Sequence, residues 1–385
     1  MMKKQSLLNS IISLLIILIF KNLGFAQNIF PSDKAATKQT IHLYQNLKKL
    51  ATNGFMFGHQ DDLAYGLHWQ YKDDSSDVKI ITGDYPALFG WDLAGLESNE
   101  NKNIDGIPFE LEKKFTQWVY EHGGVNTYTW HCLSPLGDGK TAWDTTHGTI
   151  KSILPGGVNH RLYNQWLDKA ADFLEKLRGP NGELIPILFR PFHEFTGNWF
   201  WWCQNTCTAS DFIKLWRYEI HYLRDIKHLH NLLIVYNPSD NFSSAQDFMA
   251  RYPGDDVVDI LSFDSYQKNI NPTSDSFENN LNNCLSIIEK IARQKDKLFA
   301  IAEAGYNRIP DASWWTEKLM KGIGKYRISY LLIWRNAYAY PNVKEKDIQY
   351  YIPPKGDVSA KDFIKFYDLK NTLFLKDVAK EKLYK

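Results

Sequence analysis

The chain has 385 residues, and its 45 lysines and arginines almost balance 44 aspartates and glutamates, giving a formal net charge of +1 at pH 7. The basic residues are scattered, which argues against nucleic acid as a partner, because such proteins carry a basic face or stripe. There are 13 tryptophans, more than a core needs, and indole rings suit the flat apolar faces of ligands.

Residues 1–26 have the order of a secretory signal peptide. Lys3 and Lys4 precede an apolar run, Lys21 ends that run, and the small residue Ala26 closes the segment. The alternative is a membrane anchor, which is disfavoured because the apolar run falls well short of a bilayer span. We predict cleavage after Ala26, export to the periplasm or the extracellular space, and no membrane anchor after the signal is removed.

Four cysteines are too few for a disulfide scaffold. Cys203 and Cys207 are close enough in sequence to pair, and the sequence leaves that pairing open. Their spacing lacks nearby histidine or cysteine partners, so zinc is disfavoured. We predict no structural metal and no cofactor.

From residue 27 onward, short apolar runs alternate with segments of helical period, which indicates βα units and a parallel sheet. The predicted strands are 55–59, 86–91, 125–130, 184–189, 232–236, 257–263, 298–302 and 328–334. The main predicted helices are 109–122, 161–177, one capped by Ser210, 277–293, 313–321, and 360–373 capped by Ser359.

Eight strands separated by helices predict a (β/α)₈ TIM barrel, a single catalytic domain over residues 27–385, and a monomer. The runner-up is a doubly wound sheet. It is weakened because no glycine-rich phosphate loop follows the first strand.

Polar and aromatic residues follow almost every predicted strand, which is where a barrel carries its catalytic groups. In chain order they are His59 to Asp62, Asp92, Trp130 and His131, His193 and Glu194, Asn237, Asp264 and Tyr266, Glu303, and Trp334 to Asn336.

Two of these residues, Glu194 and Glu303, each end an apolar strand. Retaining glycosidases need two carboxyl groups about 5–5.5 Å apart, one as acid/base and one as nucleophile. The alternative for Glu303 is a structural ion pair with an arginine. Its small neighbours, Ala302 and Ala304, allow close packing around the carboxylate and favour a functional role for Glu303.

These motifs resemble glycoside hydrolase family 26, chiefly β-mannanases, over most of the mature chain. The resemblance implies that Glu194 is the acid/base, that Glu303 is the nucleophile, and that His193 binds the 2-hydroxyl of the sugar being cleaved. The matching runs are Arg190-Pro191-Phe192-His193-Glu194, Gly197-Asn198-Trp199-Phe200-Trp201-Trp202, Ala302-Glu303-Ala304-Gly305 and Trp334-Arg335.

Other positions take roles from the same resemblance. His131 resembles the histidine that lines the catalytic subsite, and Tyr266 the tyrosine whose hydroxyl holds Glu303. Asp264 either binds substrate or orients the site. Arg190 is either a buried counter-charge or a substrate ligand.

The aromatic residues are assigned to the two sides of the cleavage point. Trp334 resembles the platform under the sugar being cleaved, and Arg335 a ligand for the next sugar on the non-reducing side. Trp199 and Trp143 stack on the leaving-group side. Packing explains the other two tryptophans of the 199–202 run equally well.

The predicted function is a retaining β-1,4-mannan hydrolase that cleaves mannan, galactomannan or glucomannan backbones by double displacement. The alternatives are a β-1,3-xylanase or mixed-linkage β-glucanase of the same family and, from another class, a non-catalytic polysaccharide-binding barrel. Endo and mannobiose-releasing exo action stay open. They depend on loops such as 91–107 and 133–159, which exceed ordinary βα loops.

Overall fold

The structure is a computed structural model that describes residues 30–137, 139–268, 275–340, 342–344 and 347–385. The predicted signal peptide, residues 1–26, therefore lies outside the described residues. Within the described ranges, no helix is both long and apolar enough to cross a membrane.

Eight parallel strands form a closed barrel, which confirms the predicted (β/α)₈ fold. Each strand pairs with the next along the chain, and the last pairs with the first to close the ring. The strands are β1 Phe55–Gln60, β2 Leu88–Asp92, β3 Val125–Thr129, β4 Ile187–Arg190, β5 Leu232–Tyr236, β6 Ile260–Tyr266, β7 Leu298–Gly305 and β8 Tyr330–Ile333.

Helices lie between the strands and surround the barrel. In chain order they are α1 Lys38–Leu50, α2 Asp77–Thr82, α3 Phe109–Glu121, α4 Thr149–Ile153, α5 His160–Glu175, α6 Ala209–His221, α7 Ala245–Met249, α8 Ser276–Lys295, α9 Met320–Ile323, α10 Ala360–Tyr367 and α11 Leu375–Val378. A π-helical turn, Tyr222–Ile226, extends α6, and another, Trp314–Leu319, precedes α9.

Of two cap predictions, one was wrong and the other was right in position only. Thr208, not Ser210, caps α6, because its side chain accepts a hydrogen bond from the Asp211 N–H at 3.1 Å. Ser359 does stand at the N-cap position of α10, but its side chain makes no capping hydrogen bond and donates to Asp357 at 3.0 Å. The helix that follows Ser359 ends at Tyr367, well before the predicted end.

The barrel separates two apolar layers, as the alternation of side chains along a strand requires. Inside the barrel lie small and branched residues, whereas larger and more aromatic residues face the helices. The interior set includes Met56, Leu88, Val125, Leu188, Leu233, Ile260, Ala300, Ala302 and Leu332. The outer set includes Phe57, Phe89, Tyr128, Phe189, Ile234, Phe263, Ile301 and Leu331.

Candidate active site

The turn after β4 carries Glu194 in an unusual backbone conformation. Phe192 and Glu194 have φ values of 48° and 54°, in the left-handed region that few non-glycine residues adopt. The Glu194 N–H donates to the Asn237 carbonyl at 2.8 Å, which ties this turn to the end of β5. The turn therefore holds the Glu194 side chain partly exposed at the mouth of the barrel.

A β-bulge on β7 directs Glu303 into the barrel. Phe263 pairs with Ile301, but the next residue on β6, Asp264, pairs with Glu303, so the register skips Ala302. Strict alternation would place Glu303 on the same outer face as Ile301. The bulge reverses this and aligns Glu303 with the inward-facing Asp264, as bulges beside active sites commonly do.

Three carboxyl groups meet at the mouth of the barrel. Glu194, Asp264 and Glu303 each place an oxygen within 4.8 Å of the others. Arg190 donates to Asp264 at 3.0 Å and also to Glu303. Its guanidinium supplies positive charge to two of the three acids, so the cluster is accounted for without a metal ion. Of the two roles that the sequence left open for Arg190, the structure shows the buried counter-charge.

Tyr266 donates its hydroxyl to the second oxygen of Glu303 at 2.6 Å, the contact that the sequence led us to expect. Burial, and then the charge of Glu303, raise the pKa of Tyr266, so the phenol stays protonated and remains a donor. Arg190 and Tyr266 together hold both carboxyl oxygens of Glu303 from different strands.

Glu194 is held as an acid. Burial, and then the nearby charge of Glu303, raise its pKa to about 7. Trp199 opposes this rise, since its indole N–H donates to Glu194 at 2.7 Å and favours the carboxylate. Two carboxyl groups in one site thus differ in environment, which is how glycosidases separate an acid from a nucleophile.

His131 and His193 meet beside the carboxyl cluster, with their Nε2 atoms 3.1 Å apart. Burial is the largest influence on His131 and acts to lower its pKa, but Asp92, Glu303 and Asp105 together outweigh burial and the pKa is raised. Burial, then the charges of His131 and Arg190, lower the pKa of His193 far below its usual range. Of the two rings, His131 therefore binds a second proton more readily, and His193 favours the neutral form.

The tryptophans of the site divide into exposed and buried ones. Trp143 is 50% exposed and stacks on His131 at 5.4 Å between ring centroids. Trp199 is half-buried beside Glu194. Trp201 and Trp202 are fully buried and donate their indole N–H groups to the carbonyls of Cys132 and His193. Those last two rings pack the loop that carries Glu194.

Trp334 and Arg335 follow β8 on the other side of the mouth. Trp334 lines a cleft of about 550 Å³ together with Tyr266 and Tyr351. Arg335 forms an ion pair with Asp105 at 2.7 Å, which joins the loop after β8 to the loop after β2. A sugar bound by Arg335 would therefore contact a guanidinium that is also paired with Asp105.

All four cysteines lie within the described residues, and each is a free thiol. Cys203 donates its S–H to the Glu194 carbonyl at 3.4 Å. The pairing with Cys207 that the sequence left open is absent here.

The family model described as Glycosyl hydrolase family 26 matches residues 32–350. The chain belongs to this family. Among solved structures of similar fold, the β-mannanase BoMan26A of Bacteroides ovatus has a TM-score of 0.85 at 38% identity, covering 91% of this chain and 98% of that one. A modular endo-β-1,4-mannanase of Cellulomonas fimi has a TM-score of 0.80 at 32% identity, covering 90% and 78%.

Two curated relatives carry the name mannan endo-1,4-β-mannosidase. The protein of Bifidobacterium adolescentis is 35% identical over 283 residues, 71% of this chain but only 28% of that protein. The protein of Bacillus subtilis strain 168 is 28% identical over 272 residues, 66% of this chain and 72% of that protein. The chain thus spans little more than a quarter of the first relative.

Sequence reasoning missed two contributors to this family 26 site. Asp105 lies in a long loop with no strand or motif to mark it, and only the ion pair with Arg335 reveals it. Thr129 ends β3 as one more polar residue, yet its hydroxyl contacts His193 at 2.9 Å. Its position as the last residue of β3 was the signal that could have found it.

Proposed function

We propose that the chain is a retaining β-1,4-mannan hydrolase in which Glu303 is the nucleophile and Glu194 the acid/base. The observation that carries this is the approach of their carboxyl oxygens to within 4.8 Å. That spacing is nearer to the separation of about 5–5.5 Å in retaining glycosidases than to the roughly 6.5–9.5 Å of inverting ones, so it suits double displacement rather than inversion. The printed names of the mannan-cleaving relatives support the substrate.

The mechanism uses the two acids in turn. Glu194, protonated near neutral pH, gives its proton to the glycosidic oxygen while a Glu303 oxygen attacks the anomeric carbon. The leaving sugar departs, and Glu194 then removes a proton from the water that hydrolyses the glycosyl-enzyme. Arg190 and Tyr266 keep the attacking carboxylate in place throughout.

Binding would use the residues around these acids. Trp334 would lie under the sugar at the cleavage point, Arg335 would contact the next sugar on the non-reducing side, and Trp143 and Trp199 would contact the leaving group. Asp264, held by Arg190, would orient Glu303 rather than contact substrate. We further propose that the mature protein is an exported monomer without a membrane anchor, on the strength of residues 1–26 and the single barrel.

Azide rescue tests the two assigned roles. Glu303→Ala should lower kcat on β-mannan about 10³-fold or more, and azide should restore turnover with the anomeric configuration inverted. Glu194→Ala is the matched control, since azide should there give a product of retained configuration. A retained product from Glu303→Ala would show that Glu303 is not the nucleophile. Wild-type assays on β-1,3-xylan and mixed-linkage β-glucan test the substrate, and a preference for either would contradict mannan.

A further inference from the structure

Asp92 is a buried carboxylate that the double displacement does not use. It ends β2, and one of its oxygens accepts hydrogen bonds from the N–H groups of Ala94 at 2.8 Å and His131 at 3.1 Å. Its other oxygen contacts Nδ1 of His131. Because a carboxylate only accepts, Nδ1 carries a proton, and Asp92 fixes both the backbone and the ring of His131.

The other nitrogen of His131 faces His193, with 3.1 Å between the two Nε2 atoms. Two nitrogens at that distance share one proton, so one ring donates and the other accepts. The contact that His193 makes through its other nitrogen, Nδ1, decides which ring donates.

Thr129 decides the direction. Its hydroxyl lies 3.1 Å from the Arg190 carbonyl, which only accepts, so the hydroxyl proton is used there. The Thr129 oxygen must therefore accept from Nδ1 of His193, 2.9 Å away. His193, being neutral, keeps a lone pair on Nε2, and the shared proton belongs to His131.

The charges around the two rings agree with this direction. His131 faces the acids Asp92, Glu303 and Asp105 as well as the ring of His193. His193 faces Arg190 and His131. Negative groups surround the donor and positive groups surround the acceptor, while Trp143 stacks on His131 at an interplanar angle of 15°, which suits a cationic ring.

We propose that Asp92 is a positioning residue that holds His131 as donor and His193 as acceptor, so that their Nε2 atoms form a binding site for one sugar hydroxyl. On binding, the hydroxyl accepts from His131 and donates to His193, which exchanges one N–H···N bond for two bonds to substrate. The pair adjoins Glu194 in sequence and Glu303 in space. The hydroxyl therefore belongs to the sugar being cleaved, and this part rests on the proposed function.

Two substitutions of Asp92 should differ sharply. In Asp92→Asn, the remaining oxygen still accepts from the two N–H groups, and the new amide donates to Nδ1 of His131. That ring then becomes neutral with its proton on Nε2, so the donor toward His193 survives. In Asp92→Ala, nothing fixes the ring or its protons.

Steady-state kinetics on β-mannan oligosaccharides tests this difference. Asp92→Ala should lower kcat/KM about tenfold or more, whereas Asp92→Asn should stay within about threefold of wild type. Asp33→Ala is the matched control and should leave kcat/KM near wild type. It removes a similar carboxylate–histidine contact, between Asp33 and His230 at 2.9 Å, at the opposite end of the barrel. Equal losses in both Asp92 variants, or no loss in Asp92→Ala, would overturn the proposal.

Nitrogen-15 NMR of histidine-labelled free enzyme at pH 6 reports which imidazole nitrogens carry protons in the absence of substrate. We expect His131 protonated on both nitrogens and His193 neutral with its proton on Nδ1, with signals assigned by His131→Gln and His193→Gln. In Asp92→Asn, His131 should become neutral with its proton on Nε2. A wild-type His193 protonated on Nε2, or a neutral wild-type His131, would refute the assignment. An enzyme with the expected spectrum that is inert on mannan would instead contradict the proposed function alone.

Discussion

At the scale of single residues, one indole N–H limits the rise in the pKa of Glu194, the proposed acid/base. Trp199 donates to Glu194 at 2.7 Å and so stabilises the carboxylate form. Burial and Glu303 act in the opposite direction, and the pKa that results is about 7. Glu194 must be protonated to release the leaving group, so this pKa should mark the basic limb of the pH–rate profile.

Trp199→Phe removes that donor and keeps an aromatic ring. The pKa of Glu194 should rise, and the basic limb of kcat/KM should move to higher pH by about 0.5–1 unit, alongside a lower maximum from the lost ring area. The measurement is kcat/KM against pH on a soluble mannooligosaccharide. Trp201→Phe is the control, because its N–H bonds a backbone carbonyl and its limb should not move. A limb that shifts to lower pH would contradict this account.

At the scale of elements, a buried acid joins α5 to α6. Tyr163 on α5 donates to Glu219 on α6, and both side chains are almost fully buried. Burial raises the pKa of Glu219 to about 8, above its ordinary value of 4.5. Because the folded-state pKa lies above the unfolded one, the protein binds more protons when folded. Stability from this group is complete below pH 4.5 and is lost as pH rises toward 8.

Glu219→Gln should therefore stabilise the protein in alkaline but not acidic solution. The amide can still accept from Tyr163 and carries no charge to bury, so Tm should rise by about 2–5 °C at pH 8 and change little at pH 4.5. Thermal unfolding at both pH values measures this. Glu175→Gln, exposed at the end of α5, is the control and should behave alike at both. A larger gain at pH 4.5 than at pH 8 would refute the assignment.

At the scale of the whole molecule, the proposed binding residues come from loops at the mouth of one barrel. Trp334 lines a cleft with Tyr266, and the half-exposed ring of Trp143 lies beside His131. In the proposed assignment these rings are platforms on the two sides of the cleavage point, which suits a polymer that extends in both directions, and the relatives are named endo-acting.

We therefore expect endo action. Linear mannan should yield a ladder of oligosaccharides from the first minutes, followed over time by chromatography of the products. Trp143→Ala should raise KM for long substrates more than for short ones, because it removes a platform away from the reacting bond. Mannobiose as the sole product from the outset would establish exo action instead.

The sequence by itself determined the fold class and pointed to the two acids that we propose as catalytic. Apolar runs at strand length, separated by helical periods, specify βα units, and the strand ends place Glu194 and Glu303 at one mouth because all eight strands are parallel. Such patterns involve residues that are close together in the chain, so they can be recognised from the sequence. The strand boundaries were predicted less accurately from the sequence. Residue 184, predicted to begin the fourth strand, lies in an isolated bridge with Arg178 rather than in β4.

Only the tertiary structure decided the direction in which the side chains of the site point and which charged groups contact them. The alternation of β7 would have turned Glu303 outward, and the bulge at Ala302 turns it inward, a choice set by pairing with β6. Arg190 joins Glu303 across 113 positions of sequence, and Asp92 contacts His131 in the loop after the next strand. These contacts join different strands and loops, and no local period records which side chains a closed barrel brings together.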